Sequence, residues 1–348
     1  MQGYRLLFRT ALAGLLAVVV LGQHARAQQN FTLALFERYL DALRLEAGMP
    51  GLSAAIVENG QVVWDRGFGL QDVENVVAAR ADTPYPVLGL TETFASTLLL
   101  HQCVEEGRVD LSDLARKWAP NFPDMTSTVE DVLRHRAPGG GFRYDPARYA
   151  ELAKAIAQCG RDPYRRQVGY AIMNRLGMSS SVPGHDLGSS SDRGQFSDDL
   201  LARFGSVLGR VAVPYRVDSS RRASRSSYTP SPLDASTGIV STVRDLAQFD
   251  RSLNVLLSSE TLEGSWTPAS GMPTGLGWFA QRYNGEAIVW HFGVATDAYS
   301  SLIVKIPDKG LTLILLANSD RLTAPYSLEN GDVTQSIFAR LFLRLVLP

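Results

Sequence analysis

Residues Trp290–Asp320, WHFGVATDAYSSLIVKIPDKGLTLILLANSD, decide the fold. Apolar, β-branched and aromatic runs at Ala287–Phe292, Ser300–Ile306 and Leu311–Ala317 read as strands. Asp308-Lys309-Gly310 marks a tight turn between the last two, and Asn284-Gly285 separates the first from an upstream run at Leu276–Tyr283. Strands joined by such short turns run antiparallel, because parallel neighbours need a crossover of about a dozen residues or more. Downstream, Ile337, Phe338, Leu341, Phe342 and Leu345 recur at helical spacing and predict a helix covering one face of the sheet.

The same reading extends upstream. Phe36, Tyr39, Leu40 and Leu43 predict an amphipathic helix over about Phe31–Ala47, stopped by Gly48 and Pro50. Strand-like runs at Leu52–Val57 and Val62–Phe68 flank Asn59-Gly60, a strong hairpin signal. From about Tyr85 to Leu233 the pattern is mostly helical. It contains an apolar run from Thr91 to Glu106 ended by Gly107, a capping box Ser127-Thr128-Val129-Glu130 opening a helix toward His135, and a serine- and glycine-rich stretch, Ser179–Asp192, that reads as a surface loop. Thr237 onward gives another capped helix. The expected fold class is α/β: an antiparallel sheet flanked by helices, formed by 28–84 and 235–348, with an all-helical subdomain inserted at 85–234.

Arg5 and Arg9, an uncharged apolar run from Ala11 to Leu21 and Ala25-Arg26-Ala27 read as a secretory leader over 1–27. That run is shorter than the ~20 residues a bilayer core requires, so the expectation is cleavage, export to the periplasm or medium, and no stable membrane span afterwards. A formal charge of −1 argues against a polyanion partner. The cluster Arg221, Arg222 and Arg225 sits among serines without aromatic interleaving and reads as a solvated loop, not a nucleic-acid site. Cys103 and Cys159 lie too far apart for a Cys-x-x-Cys motif; export permits a disulfide between them, and the sequence leaves open whether it forms. His101, His135, His185 and His291 lack close metal-ligand spacing, and Gly139-Gly140-Gly141 reads as a flexible loop, so neither metal nor cofactor is expected.

Four stretches carry a resemblance: GLSAAIVENGQVVWDRGFG near the start, LHQCVEEGRVDLSD, TGIVSTVRDLAQFD, and the strand region already quoted. Together they resemble the serine β-lactamase, penicillin-binding protein and esterase superfamily over nearly the whole chain beyond the leader. The resemblance implies a Ser-x-x-Lys motif opening a buried helix, with serine as nucleophile and lysine to take its proton. The matching segment here is Pro84–Ser96, PYPVLGLTETFAS, in which Gly89 and Glu92 stand at the serine and lysine positions while Thr91, Thr93 and Phe94 keep the register. Glycine supplies no nucleophile, and glutamate reverses the charge that would help deprotonate one. None of the four lysines, Lys117, Lys154, Lys305 and Lys309, lies three residues after a serine or threonine. Gly51-Leu52-Ser53-Ala54-Ala55 fails the Gly-x-Ser-x-Gly pattern of α/β-hydrolases.

Two further elements are implied. A Tyr-x-Asn motif would place a proton-shuttling tyrosine and an amide-holding asparagine; Tyr144-Asp145-Pro146 keeps the tyrosine and loses the asparagine. Tyr144 reads equally as a polar site residue and as packing at a cleft edge. A Lys-Thr-Gly or His-x-Gly strand is matched by His291-Phe292-Gly293, the best-preserved element, whose histidine and glycine would meet a ligand. Trp278 and Trp290 read as core with the cleft wall as the other option. Catalytic residues are therefore not assigned. Gly89 and Glu92 are degenerate positions, the latter a cleft carboxylate lacking a cation partner, and Tyr144, His291 and Gly293 are candidate ligand contacts.

Three functions fit this reading. The first is an exported inactive hydrolase homologue whose cleft holds a small-molecule or peptidoglycan-like ligand. The second is a hydrolase using water activated by Glu92 or Tyr144, and the third a structural envelope protein. If the scaffold is otherwise competent, Gly89→Ser with Glu92→Lys is expected to restore acylation.

Overall fold

A computed structural model describes residues 32–188 and 191–347, so the leader expected over 1–27 lies outside the described residues. Helix α1 spans 32–46 and ends at Gly48, whose φ of 72° is the left-handed conformation that terminates helices. Strands β1 (Gly51–Glu58) and β2 (Gln61–Asp72) form the expected hairpin. Asn59 and Gly60 both have positive φ, as a two-residue turn of this kind requires.

The main sheet has seven strands among the described residues. Its order is β3-β2-β1-β11-β10-β9-β8, with β3 at Val77–Ala78, β8 at Phe279–Tyr283, β9 at Glu286–Ala295, β10 at Tyr299–Ile306 and β11 at Leu311–Ala317. Every neighbouring pair is antiparallel, and short turns join all of them except β1 and β11. Alternation sorts the side chains onto two faces. Leu52, Ala54, Ile56, Leu302, Val304, Leu313 and Leu315 pack with Phe36 and Leu40 of α1 and with Phe338 and Phe342 of α11 (Ile337–Val346). Ala55, Val57, Ile303, Ile314 and Leu316 face the opposite core with Phe94 and Leu98 of α2 (Thr91–Leu99) and Leu246, Phe249 and Leu253 of α9 (Val243–Leu256).

The segment between β2 and β8 carries short helices: α3 (Ala115–Trp118), α4 (Val129–Leu133), α5 (Pro146–Ala150), α6 (Leu152–Gly160), α7 (Tyr164–Gln167) and α8 (Asp198–Leu208), followed by α9 and α10 (Ser259–Trp266). It is not all-helical as expected. Strand β4 (Tyr85–Pro86) pairs with β7 (Val240–Ser241), tying the insert to the sheet domain, and β5 (Tyr215–Val217) pairs with β6 (Ala223–Arg225).

Helix α2 is buried at all nine residues; its Thr93, Ser96 and Thr97 hydroxyls donate to backbone carbonyls one turn back, which removes the cost of burying them. The helix continues as a π-helical turn, Leu100–Val104, and there Cys103 is joined by a disulfide to Cys159 of α6.

Three local expectations are corrected. The capping box lies one residue later, at Thr128 and Asp131, because Ser127 donates to Asp124 and Glu130 pairs with Arg134. Strand β8 begins at Phe279, since Gly277 has φ 82° and packs its backbone on Ser96 of α2. The stretch read as a surface loop is partly interior. Val182 bridges Val240, and both Val182 and Leu187 are buried.

Candidate functional site

The segment entering α2 sets the site. Leu88–Leu90 forms a single 3-10 turn in which Leu88 has φ 55°, a conformation uncommon for a residue with a side chain. The turn lies directly on β9. A Cβ placed on Gly89 would overlap the Phe292 carbonyl oxygen and stand 3.0 Å from the Tyr144 hydroxyl and 3.4 Å from Gly293 Cα. Reciprocally, a Cβ on Gly293 would stand 2.7 Å from Gly89 N and 2.7 Å from Leu88 Cβ. The two glycines let two backbones meet where a serine side chain and its substrate would otherwise sit. Ser301 of β10 donates to the Val87 carbonyl at 2.7 Å and holds the turn against the sheet.

One helical turn on, Glu92 is fully buried. It is not the partnerless carboxylate that its sequence position suggested. His135 Nε2 lies 2.9 Å and His291 Nε2 3.1 Å from the same carboxylate oxygen, Oε2, while the Tyr144 hydroxyl donates to Oε1 at 3.3 Å. His135 Nδ1 accepts from the Asp145 backbone N–H at 3.1 Å, so the Nε2 of that ring carries the proton. His291 Nδ1 accepts from the Phe292 N–H at 2.9 Å, so the Nε2 of that ring carries the proton and donates to Glu92. Tyr149 adds a bond from its hydroxyl to the Glu92 carbonyl at 3.2 Å and stacks its ring on His135 with centroids 5.1 Å apart.

Burial pushes the Glu92 carboxyl up, but electrostatic attraction and hydrogen bonding from His135, with those from His291, outweigh it and hold the group below the ordinary carboxylate range. Burial, reinforced by the neighbouring Glu92 charge, raises the Tyr144 and Tyr149 phenols well above theirs. Neither phenol is therefore poised to lose a proton near neutrality.

Local sequence explains how the four donors converge. His135 follows α4 with φ 51°, its N–H donating to the Val132 carbonyl, a tight exit that turns its ring back toward α2. Asp145 and Pro146, where Tyr-x-Asn was expected, serve instead as N-cap and first residue of α5. The Asp145 carboxylate accepts from Arg148 N at 3.2 Å, and proline suits a position whose N–H has no helical partner. His291 sits within β9.

The structure thus brings Gly89, Glu92, Tyr144, His291 and Gly293 together, as the sequence predicted. His135 and Tyr149 were not assigned to the site. Trp278 and Trp290 are core residues, 2% and 0% exposed, and do not line a cleft.

The 3-10 turn leading into the buried helix α2 thus lies against β9 and β10 of the antiparallel sheet. The sequence profile described as Beta-lactamase matches residues 34–334, and the chain belongs to that family. It is similar to "Protein flp" of Staphylococcus aureus (strain COL), 23% identical over 322 residues that cover 81% of this chain and 62% of that protein, so it spans under two thirds of that relative. It is also similar to the "Putative penicillin-binding protein PbpX" of Bacillus subtilis (strain 168), 23% identical over 329 residues, with 83% of this chain and 75% of the relative covered.

Among solved structures, the octameric penicillin-binding protein homologue from Pyrococcus abyssi superposes with a TM-score of 0.71 at 22% identity, over 90% of this chain and 77% of that one. D-amino acid amidase from Ochrobactrum anthropi SV3 gives 0.69 at 21%, over 90% and 99%. At these identities the likeness establishes the fold alone.

Proposed function

We propose that this chain is a non-acylating member of the beta-lactamase family, in which the position of the nucleophile has become a packing contact and that of the catalytic lysine an anchor for a buried polar network. The observation that carries this reading is the packing of the Gly89 backbone on β9, where a side chain at position 89 would run into the Phe292 carbonyl oxygen. A serine side chain has no room there unless β9 or the turn moves, and the neighbouring acid cannot take its proton while two imidazoles donate to it. The water-activating alternative meets the same obstacle. Glu92 is 0% exposed, with both oxygens already accepting hydrogen bonds, and the Tyr144 phenol is held in its protonated form. The ligand cleft expected from the family pattern is filled at its centre by the protein's own backbone, so any ligand of peptidoglycan or small-molecule type would bind at its rim, beside the half-buried Tyr144. Export rests on the leader motif, to which the disulfide adds support because such bonds persist in oxidising compartments. The test is turnover: with a chromogenic cephalosporin and a p-nitrophenyl ester, the purified protein should not exceed the buffer rate, and saturable hydrolysis would overturn the reading.

A further inference from the structure

A cavity of about 480 Å³ opens on the α9 face of the sheet, at the far end of β10 from Gly89. Lys305, which helps to line it, is four residues along that strand from Ser301, the residue that holds the Gly89 turn; at ~3.3 Å per strand residue the two places are roughly 13 Å apart. The volume lies within the ~300–1,000 Å³ of ordinary small-molecule sites.

The rim is built from two turns locked to each other. Asn59, with φ 49°, donates its N–H to the Gly310 carbonyl at 2.8 Å, and a Cβ on Gly310 would overlap Asn59 Oδ1. The floor is charged. Lys305 of β10 forms a buried ion pair with Asp250 of α9, Thr312 of β11 accepts from Lys305 Nζ at 3.2 Å and donates to Asp250 Oδ2 at 3.0 Å, and the ammonium stands 5.4 Å from the Trp266 ring centroid. Burying two ions costs more than packing apolar groups of the same volume, so stability alone does not account for such a floor.

Asp250 and Thr312 occupy two of the three Lys305 donors. At the mouth, Arg251 and Asn254 stand exposed one turn apart on α9, and neither side chain has a hydrogen bond or ion pair among the described residues. The Lys305 and Asp250 charges cancel, which leaves Arg251 as the net charge of the cavity. Trp266, Pro307 and Leu311 supply apolar wall.

We propose that this cavity is a binding site for a small organic monocarboxylate, whose carboxylate meets Arg251 and Asn254 and whose apolar body lies against Trp266, Pro307 and Leu311. The probe is benzoate, with benzamide as its uncharged isostere, titrated into the full protein by ligand-observed NMR. Benzoate should bind at least about tenfold more tightly than benzamide, and Arg251→Glu should weaken it by about tenfold or more, the range of a charge-assisted hydrogen bond. Asn254→Ala should weaken it less, and Glu92→Gln, at the other end of the sheet face, should leave it unchanged. Arg251 is exposed, so its variant is expected to fold; an unchanged circular dichroism spectrum checks this. No benzoate binding at 10-fold above ~1 mM, equal binding of benzamide, or undiminished binding by a folded Arg251→Glu protein would overturn the assignment.

Discussion

Glu92 and His291 stand 199 positions apart in the chain and 3.1 Å apart in the fold, and the oxygen that binds His291 also binds His135 at 2.9 Å. A single buried carboxylate thereby ties helix α2, the turn after α4 and strand β9 together. In a family whose pattern calls for a lysine at this point, the acid does the opposite work. It draws three side-chain donors inward.

Stability should respond to Glu92 in graded fashion. Glu92→Gln keeps the shape but weakens the hydrogen bonds from both imidazoles, an expected loss of about 1.5–3 kcal/mol. Glu92→Ala leaves those donors and Tyr144 buried without an acceptor and should cost about 3–5 kcal/mol. Urea unfolding of the two variants checks the order; equal stability of all three proteins would mean the network contributes nothing.

Gly89 should tolerate no side chain. Gly89→Ala places its Cβ against backbone, which cannot rotate away, and overpacking of this kind costs about 1–3 kcal/mol. The sequence-based expectation that Gly89→Ser with Glu92→Lys restores acylation is withdrawn on the same ground: the serine lacks space, and the new ammonium would face two imidazole N–H donors. The double variant should be strongly destabilised and remain unlabelled by a fluorophosphonate probe.

The acid limb of stability should carry a Glu92 signature. Because its folded-state pKa lies below its unfolded one, the stabilisation is complete above the ordinary glutamate value of ~4.3 and is lost as pH falls through the folded value, the unfolded chain taking up the proton first. Asp332 adds a further limb. Burial raises its pKa, but hydrogen bonds from Thr334, Gln335 and Gln281 prevail and bring it from 3.8 to about 2. Glu92→Gln should flatten the pH dependence below ~4.3 while leaving the Asp332 contribution, as unfolding free energies measured across that range would reveal.

The disulfide closes a loop over a sequence separation of 56. Chain-entropy arguments give roughly 4 kcal/mol for a loop of that length, within a usual range of about 2–4 kcal/mol. Cys103→Ser with Cys159→Ser should lower the unfolding free energy by that amount. Reduction of the wild-type protein should do the same, and reduction should not affect the double variant.

Much of this was legible in the chain. The Asn-Gly turns and the strand runs around Trp290–Asp320 specify an antiparallel sheet through local chemistry, so they survive into the structure almost unchanged. Gly89 and Glu92 were visible as departures from a pattern with fixed spacing. His135 was not, because its role depends on a left-handed exit from α4 and on a neighbour 43 positions away, neither of which leaves a periodic trace. The Asp145-Pro146 pair was read as a damaged motif, whereas it is an intact helix start. The close approach of Gly89 and Gly293 is likewise a tertiary fact, since a glycine in sequence does not say which backbone approaches it.

The most direct test of the central claim is incubation of the wild-type protein with a fluorescent penicillin and with a fluorophosphonate, followed by intact-mass measurement and peptide mapping. An unchanged mass is expected with both reagents, because Gly89 has no side-chain oxygen and its surroundings leave no room for an acyl group. A stoichiometric adduct mapped to one specific serine would contradict it.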